Sequence, residues 1–283
     1  MTDSAQPGPP PQTWKLTLSY DGADFQGWQV QPGLPTIQGE LQAALGRITG
    51  ETPLPQGSGR TDAGVHALAQ VASFVLQAPI PPANLLRALN RTLPPSIRIS
   101  EAATVPASFH ARHSAIAKNY EYRVFLGSDP PPFLARYVYA CHLPLDLAAL
   151  QSAALLFVGE HDFLSFTATD PDRSQRSIVP DANSHAGAAA AVAESTVRTI
   201  FSSAWEPRQM DSGDLLVYHV RGNGFLHHMV RNLVGTMLDT GRGRLTLDEI
   251  PRILAARSRS AAGPTAPARG LFLHSVEYQK ECP

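Results

Sequence analysis

The stretch GSGRTDAGVHALAQVASFVL, from Gly57 to Leu76, joins a loop of small residues to a strand. Its glycines permit backbone torsions and close approaches that other residues forbid, so the loop can bring a bound molecule close to Asp62. Residues 70–76 are then rich in β-branched and aromatic residues, as strands are. An ordinary surface turn is the simpler interpretation of such a loop taken alone, and its surroundings along the chain decide between the two.

Hydrophobic periodicity on both sides of this loop predicts strands and helices in alternation. Predicted strands lie at 14–20, 119–126, 196–205, 215–221 and 271–278. Predicted helices lie at 36–50, 82–93, 145–158 and 227–239, and a last one follows a capping-box pattern from Thr246 to Glu249, with Pro251 leaving its start open by several residues. The order strand, helix, strand, strand, helix occurs twice. It predicts an α+β fold of two halves, each an antiparallel sheet with helices on one face.

Two segments fall outside this repeated order. Residues 1–12 hold four prolines and no apolar core, which predicts a flexible tail rather than a signal peptide. Residues 169–195 combine prolines, aspartates and a run of alanines, which predicts a mobile surface insertion. The two halves are then 13–112, which carries the glycine-rich loop, and 113–283.

The composition excludes several classes of protein. The chain has 283 residues, of which 43% are hydrophobic, so it can bury a sizeable core and is not a disordered chain. No apolar run approaches the roughly 20 residues needed to span a bilayer. Two cysteines are too few for a disulfide framework or a cysteine-based zinc site. We expect a reduced, cytoplasmic protein that is not bound to membranes.

The net charge of -1 conceals a strong segregation of charge along the chain. Residues 60–136 carry +4 and residues 221–269 carry +5, whereas residues 146–214 carry -6. Of the 23 basic residues 20 are arginines, whose guanidinium groups bind phosphate oxygens and stack on bases. A general preference for arginine over lysine explains that bias equally well. The layout predicts a basic cleft formed by the two positive blocks, with the acidic block facing away from it.

Two further positions are candidates for chemistry. Arg231 lies at the margin of the apolar stripe of the helix predicted at 227–239, where a guanidinium points along the rim of a cleft or, more simply, flanks the helix. Tyr120 shares a strand face with Tyr122, Val124 and Leu126, where it is either a core aromatic or a stacking platform for a base.

Two other patterns resemble known kinds of functional site, a metal site and an aspartic protease site, but neither predicts such a site here. His227 and His228 would diverge by about 100° on a helix, so we expect no metal site there. The tripeptide DTG at 239–241 occurs in aspartic proteases, but here it ends a predicted helix and no symmetric second carboxylate accompanies it. We interpret it as a coincidence.

Taken together, these segments resemble the bacterial tRNA pseudouridine synthase A (TruA) family from about residue 15 to residue 278. Six motifs match in the order of the family, which makes the resemblance very specific. They are YDG at 20–22 with FQGWQ at 25–29, GRTDAGVHA at 59–67, SFHAR at 108–112, KNYEY at 118–122, FLHHMVRN at 225–232, and AGPTAPA at 262–268 followed by GL at 270–271.

The resemblance implies a pseudouridine synthase fold with two ferredoxin-like halves related by a pseudo-twofold axis, around a basic RNA-binding cleft. It implies an isomerase that forms homodimers and converts uridine to pseudouridine at tRNA positions 38 to 40, in the anticodon stem-loop. It also implies that no cofactor and no metal are needed.

The resemblance further implies roles for individual residues. Asp62 is the expected nucleophile and Arg231 its ion-pair partner, since a guanidinium favours the ionised form of a carboxylate. Tyr120 is expected to stack on the base and to help remove the C5 proton. Arg60 is expected to hold the flipped nucleotide, with a plain phosphate contact as the alternative. Weaker candidates for backbone contacts are Arg112, Lys118, Arg242 and Arg244.

Several alternatives stay open from the sequence alone. Asp62 can attack C1′ of the ribose, attack C6 of the base, or abstract a proton from the ribose. The insertion departs from the pattern of the family, so any of Arg173, Arg176 or Arg198 could take the place of its arginine-rich stretch. The rival functions are a non-catalytic RNA-binding protein, which would lack the Asp or the Arg, and a glycosidase, which would need a second carboxylate such as Glu121.

Overall fold

A computed structural model describes residues 10–168, 195–211 and 213–279. Within these ranges it has ten strands and six helices. The strands are Gln12–Tyr20 (β1), Gln56–Gly57 (β2), His66–Leu76 (β3), Ile97–Val105 (β4), Ala115–Leu126 (β5), Tyr139–Cys141 (β6), Gly159–Asp162 (β7), Val197–Arg208 (β8), Leu215–Gly222 (β9) and Leu271–Tyr278 (β10). The helices are Ile37–Thr49 (α1), Pro82–Thr92 (α2), Pro132–Ala135 (α3), Leu147–Leu155 (α4), Met229–Gly241 (α5) and Glu249–Ala256 (α6).

The strands form one continuous sheet in the order β4-β1-β3-β10-β5-β9-β8-β7, with β2 added to β3 and β6 added to β5. Most neighbours are antiparallel, which agrees with the predicted α+β class. The parallel pairs are β10 with β3 and β6 with β5. The sheets expected for two separate halves are therefore joined, because β10 pairs with β3 on one side and with β5 on the other. The proposed boundary between 112 and 113 remains a prediction.

Local capping signals explain where α1 begins and ends. The side chain of Thr36 accepts the N–H of Gly39 at the first turn, and Gly50 ends the helix in the left-handed region with φ 76°. These are the residues that the sequence predicts for the two ends. The buried face of α1 is formed by residues of the predicted apolar stripe, among them Ile37, Leu41 and Leu45.

One helix begins later than the sequence predicts, and the last helix begins within the range that Pro251 left open. The helix predicted from His227 begins at Met229, because His228 adopts a left-handed conformation with φ 60°. The last helix begins at Glu249, whose carboxylate accepts the backbone N–H of Thr246 at 2.7 Å, so one bond of the predicted capping box is present. Pro251 lies in the first turn of that helix, where its missing N–H has no intrahelical partner to lose.

The main core lies between the sheet and its helices. Its largest fully buried side chains include Trp14 of β1, Tyr122 of β5, Trp205 of β8 and Tyr218 of β9. The face predicted for β5 is buried at Tyr120, Tyr122 and Val124, but Leu126 at the end of the strand is 39% exposed. Leu126 is the last residue of the strand, and its exposure is compatible with the predicted shared face.

The two segments predicted to lie outside the core fall mostly beyond the described residues. These are positions 1–9 of the predicted tail and positions 169–194 of the predicted insertion. Gln12 of the predicted tail already belongs to β1. Among the described residues no helix has the length and apolar character that a membrane span requires.

Candidate active site

Asp62 lies in the loop between β2 and β3, which two contacts of its neighbour Thr61 hold in place. The hydroxyl of Thr61 shares a 2.8 Å hydrogen bond with the hydroxyl of Tyr20, and the carbonyl of Thr61 accepts the backbone N–H of Trp28 at 3.0 Å. The Asp62 side chain is 18% exposed. A fixed backbone therefore presents a carboxylate that solvent can reach.

The glycine of the FQGWQ motif explains why that motif accompanies the Asp62 loop. Gly27 has φ +87°, and a Cβ added to it would lie 2.6 Å from the carbonyl oxygen of Thr61. The next residue of the motif, Trp28, packs just as closely on Gly57, where an added Cβ would lie 2.6 Å from the ring of Trp28. The motif is thus the platform on which the Asp62 loop packs, and only glycine allows the backbones to approach so closely.

Arg231, in the first turn of α5, makes an ion pair with Asp62. Its Nη1 lies 2.9 Å from Asp62 Oδ2, while its Nε donates to the carbonyl of Ala266 at 2.7 Å. The N–H of Ala266 in turn donates to the carbonyl of Arg231 at 3.1 Å. A Cβ on Gly235 would lie 1.6 Å from the carbonyl oxygen of Pro264, so α5 packs directly on this segment. The guanidinium is therefore held from both sides.

His227 and His228 also face Asp62, which the sequence argument did not foresee. His227 Nε2 lies 3.5 Å from Asp62 Oδ1, and His228 Nε2 lies 3.3 Å from Oδ2. The two rings stack with centroids 3.9 Å apart. The expectation that they diverge on a helix was wrong, because both precede α5 and His228 has a positive φ. Burial lowers the pKa of His228, and the charge of Asp62 acts in the opposite direction.

Tyr120 of β5 is buried near this carboxylate. It is 8% exposed, and its ring meets that of Phe225 edge-on with centroids 5.0 Å apart. Burial raises the pKa of the Tyr120 hydroxyl, and the nearby groups of Tyr20 and Asp62 raise it further. The phenol is therefore protonated at neutral pH. The aromatic contact with Phe225 was not predicted, although Phe225 belongs to a matched motif.

Lys118, two residues before Tyr120, lies beneath the glycine-rich loop. Its Nζ donates to the carbonyl of Ser58 at 2.6 Å. Burial, together with the charges of Arg112 and Arg198, lowers the pKa of Lys118 to about 8. Arg112 itself is exposed. These three basic side chains form a cationic group beside the loop that carries Asp62.

The other arginines predicted to contact RNA differ in exposure. Arg60 is exposed in the same loop as Asp62. Arg244 has a side chain that is 61% exposed and lies 3.6 Å from Asp239. Arg242 has a side chain that is only 12% exposed, and its guanidinium reaches Asp239 and the sulfur of Cys141. So little of the Arg242 side chain is exposed that it offers few donors to a phosphate. Of Arg60, Arg242 and Arg244, it therefore has the least support for the predicted contact with RNA.

Of the arginines considered for the arginine-rich stretch, Arg173 and Arg176 lie outside the described residues. Arg198 is described, and its Nη1 donates to the carbonyls of Ser195 and Val197 at 2.6 and 2.7 Å. Its Nε would lie 3.5 Å from a Cβ on Gly224. Arg198 therefore lies at the edge of the site, although it belongs to the segment 146–214 that was expected to face away.

Two other functions were considered, a glycosidase that uses Glu121 and an aspartic protease that uses the DTG tripeptide. Neither group lies where that function would need it. Glu121 is 3% exposed, and its carboxylate lies 2.5 Å from the Nε of Arg123 and 3.7 Å from Arg208. The DTG tripeptide at 239–241 lies in the last turn of α5 rather than in a loop between strands. Glu121 is thus occupied as a buried ion pair and is poorly placed to serve as the second acid of a glycosidase.

These side chains come from four elements of both halves of the chain. One carboxylate oxygen of Asp62 is fixed by Arg231, two imidazoles face the carboxylate, and a protonated tyrosine is close by. A carboxylate fixed in this way can attack an electrophilic carbon or accept a proton. The exposed and half-buried cations beside it suit a polyanionic substrate.

Comparison with known proteins identifies the family. Residues 17–114 and 153–279 match the family model described as tRNA pseudouridine synthase. A tRNA pseudouridine synthase A of Solibacter usitatus is 50% identical over 265 residues, which cover 93% of this chain and 98% of that protein. The protein of the same name from Moorella thermoacetica is 44% identical over 266 residues, with 93% and 98% covered. A third, from Halalkalibacterium halodurans, is 44% identical over 259 residues, with 91% and 89% covered.

Asp62, Arg231 and five of the six motifs on which the resemblance was based lie within the matched ranges, whereas Tyr120 and the KNYEY motif at 118–122 lie between those ranges. The predicted family, the α+β fold and the class of enzyme are therefore confirmed. The chain belongs to the tRNA pseudouridine synthase family, whose members are isomerases that convert uridine to pseudouridine in tRNA.

Proposed function

We propose that this chain modifies uridines at positions 38 to 40 of the tRNA anticodon stem-loop, with Asp62 as its nucleophile. The observation that carries the proposal is the 2.9 Å ion pair between Asp62 and Arg231, which are 169 residues apart in sequence. Asp62 belongs to the first basic block and Arg231 to the second, so the pair lies where the two blocks meet. A stem-loop backbone needs such cations on both sides of the carboxylate.

In the proposed reaction the N1–C1′ bond of the nucleotide breaks, the uracil turns, and C5 bonds to C1′. The C5 proton is lost and N1 gains a proton, so the product has the mass of the substrate. A carboxylate nucleophile divides this exchange into two easier steps. Arg231 keeps Asp62 oriented, and its bonds to Ala266 keep the guanidinium from following the substrate.

We assign Tyr120 and Arg60 to the binding of the target nucleotide. The target base is stacked in the stem and must be flipped out before reaction. Tyr120 then stacks on the base, and Phe225 limits the movement of its ring. Because the pKa of Tyr120 is raised, its phenol is a weak proton acceptor, and stacking is the role that we assign to it. Exposed Arg60 holds the nucleotide outside the stem.

The decisive experiment measures tritium release from C5-labelled uridine in tRNA, together with the mass of the tRNA. Asp62→Asn should abolish release and leave tRNA binding intact, whereas Asp24→Asn, at a carboxylate whose side chain is 76% exposed, should be fully active. Full activity of Asp62→Asn would exclude the proposed nucleophile. Abasic tRNA in place of a product of unchanged mass would instead support a glycosidase.

The role of Arg60 is tested by binding and turnover of Arg60→Ala. Loss of nucleotide flipping should suppress turnover and spare tRNA affinity. Loss of a plain phosphate contact should instead weaken binding and flatten its salt dependence by about one unit of slope. The second pattern would replace the proposed role by a backbone contact.

We also propose that the enzyme acts in the cytoplasm as a homodimer. This assembly rests on the family resemblance, and two exposed apolar side chains fit it: Phe133 is 79% exposed and Leu155 is 67% exposed. Sedimentation equilibrium should give twice the chain mass of 30.4 kDa. A monomer at micromolar concentration would refute this part of the proposal.

A further inference from the structure

The histidine pair before α5 is not needed to hold Asp62, because Arg231 and the loop already do so. Nevertheless, both Nε2 atoms point at the carboxylate, one near each oxygen. One ligand atom from each of Asp62, His227 and His228 lies within 4.8 Å of the others. Their side chains are 18%, 29% and 26% exposed, so an ion from solvent can reach them.

The spacing of the ligand atoms is close to that of a tetrahedral metal site. Ligands at about 2.1 Å from a zinc ion lie about 3.4 Å apart along each edge of a tetrahedron. His227 Nε2 lies 3.5 Å from Asp62 Oδ1, and His228 Nε2 lies 3.3 Å from Oδ2. Because the two nitrogens face different oxygens, side-chain rotations must bring them to one ion. Two imidazoles and a carboxylate then supply three corners, and water can supply the fourth.

We propose that Asp62, His227 and His228 form an inhibitory site for a divalent transition metal such as Zn²⁺. Imidazole nitrogen suits zinc, cobalt, nickel and copper, whereas Mg²⁺ prefers six oxygen ligands. The site thus discriminates against the Mg²⁺ that accompanies tRNA. It is distinct from a cofactor site, because the isomerisation has no step that requires a metal.

Two features of the surroundings lower the affinity for a metal ion. The guanidinium of Arg231, 2.9 Å from Asp62 Oδ2, repels a cation while keeping its own bond. The Nδ1 of His227 is buried without a hydrogen-bond partner among the described residues. Ligating histidines are normally oriented by a bond at the second nitrogen, and its loss weakens metal binding about 10- to 100-fold.

Occupation of this site impairs the nucleophile. A carboxylate that donates a lone pair to zinc is a weaker nucleophile, and the ion fills the space beside it. Zn²⁺ and the target uridine therefore exclude each other. This consequence for activity rests on the proposed function of Asp62, whereas metal binding itself does not.

Calorimetric titration of the tag-free protein with ZnCl₂ in the absence of RNA tests the site directly. We expect one saturable ion per chain, no displacement by MgCl₂, and a visible absorption band of tetrahedral cobalt on titration with CoCl₂. The double variant His227→Asn/His228→Asn should bind Zn²⁺ at least about tenfold more weakly. His113→Asn is the matched control, because His113 stacks on His110 in the other histidine pair, with centroids 4.4 Å apart.

Equal Zn²⁺ affinity in the double variant and the unaltered protein would overturn the proposal, as would the absence of saturable binding. If the double variant does not fold, the cobalt spectrum of the unaltered protein and the single variant His228→Asn decide in the same way. The effect of Zn²⁺ on synthase activity then tests whether the ion is bound at Asp62. Saturating Zn²⁺ should stop tritium release and a chelator should restore it, whereas an active enzyme with zinc bound would exclude Asp62 as a ligand. Zinc binding to a protein without synthase activity would refute the proposed function and leave the metal site standing.

Discussion

At the scale of single residues, the side chain of Arg231 contacts Asp62 and the carbonyl of Ala266, and we expect the protein to fold without these two contacts. We expect Arg231→Ala to fold and to lose about a hundredfold or more of its turnover, because the charge that orients Asp62 is removed. tRNA affinity should change much less. Single-turnover tritium release and a filter-binding isotherm measure the two quantities. Arg252→Ala, at an exposed position of α6, is the control and should behave like the unaltered enzyme. Normal turnover of folded Arg231→Ala would remove Arg231 from the site.

Lys118 gives the site a dependence on pH. Its pKa in the folded protein is about 8, below the ordinary value of 10.5, so its charge is lost as the pH rises through 8. We expect tRNA affinity to fall between pH 7 and pH 9 for this reason. Lys118→Arg stays charged over that range and should flatten the profile. Lys15→Arg, the same substitution on β1, should leave it unchanged. An equally steep profile in Lys118→Arg would assign the titration to another group.

The sequence selected the Asp62 loop and Arg231 as parts of one candidate site because each belongs to a motif with an unusual local composition. It missed the two histidines as neighbours of Asp62, because the pattern at 227–239 indicated a helix that would separate them. Their common direction depends on the left-handed conformation of His228, which contacts from outside the helix maintain. Periodicity along the chain carries no information on such contacts.

At the scale of elements, the platform beneath the Asp62 loop can be tested with a matched pair of glycines. Gly27 and Gly33 both have positive φ, +87° and +74°, but a Cβ on Gly33 would meet no atom within 4 Å, whereas one on Gly27 would meet Thr61. Both alanine variants carry the left-handed strain of about 1–2 kcal/mol. Only Gly27→Ala should also displace the loop and lower kcat. Thermal unfolding and tritium release measure the two effects, and equal kcat in the two variants would contradict the platform.

Helices and strands with their own end signals were predicted well, and pairings between distant strands were not. α1 has a threonine cap and a terminal glycine, so its limits follow from a few adjacent residues. The parallel contact of β10 with β3 joins residues about 200 positions apart, for example Phe272 with His66. No local pattern favours that pairing over two separate sheets. It follows from the packing of the whole chain.

At the scale of the whole molecule, the continuous sheet predicts that both halves unfold together. Leu273 of β10 is fully buried and is paired with Ala67 of β3 on one side and Tyr120 of β5 on the other. We expect Leu273→Ala to lower the free energy of unfolding by about 2–5 kcal/mol, as for other buried leucines. Leu68→Ala, at a leucine that is 42% exposed, should cost much less. Calorimetry should show a single transition, and two transitions in the unaltered protein would indicate independent halves.

The position of β10 also determines when the enzyme becomes competent during its synthesis. A ribosome makes β3 and β5 long before residues 271–278, so in the nascent chain each of these strands keeps one edge without a partner. Such edges attract other strands, and they remain open until residues 271–278 have been made. β10 lies between the strands that flank Asp62 and carry Tyr120, so we expect the two residues to reach their final relation only when β10 is in place. We therefore expect chains that lack β10 to be inactive and prone to aggregation.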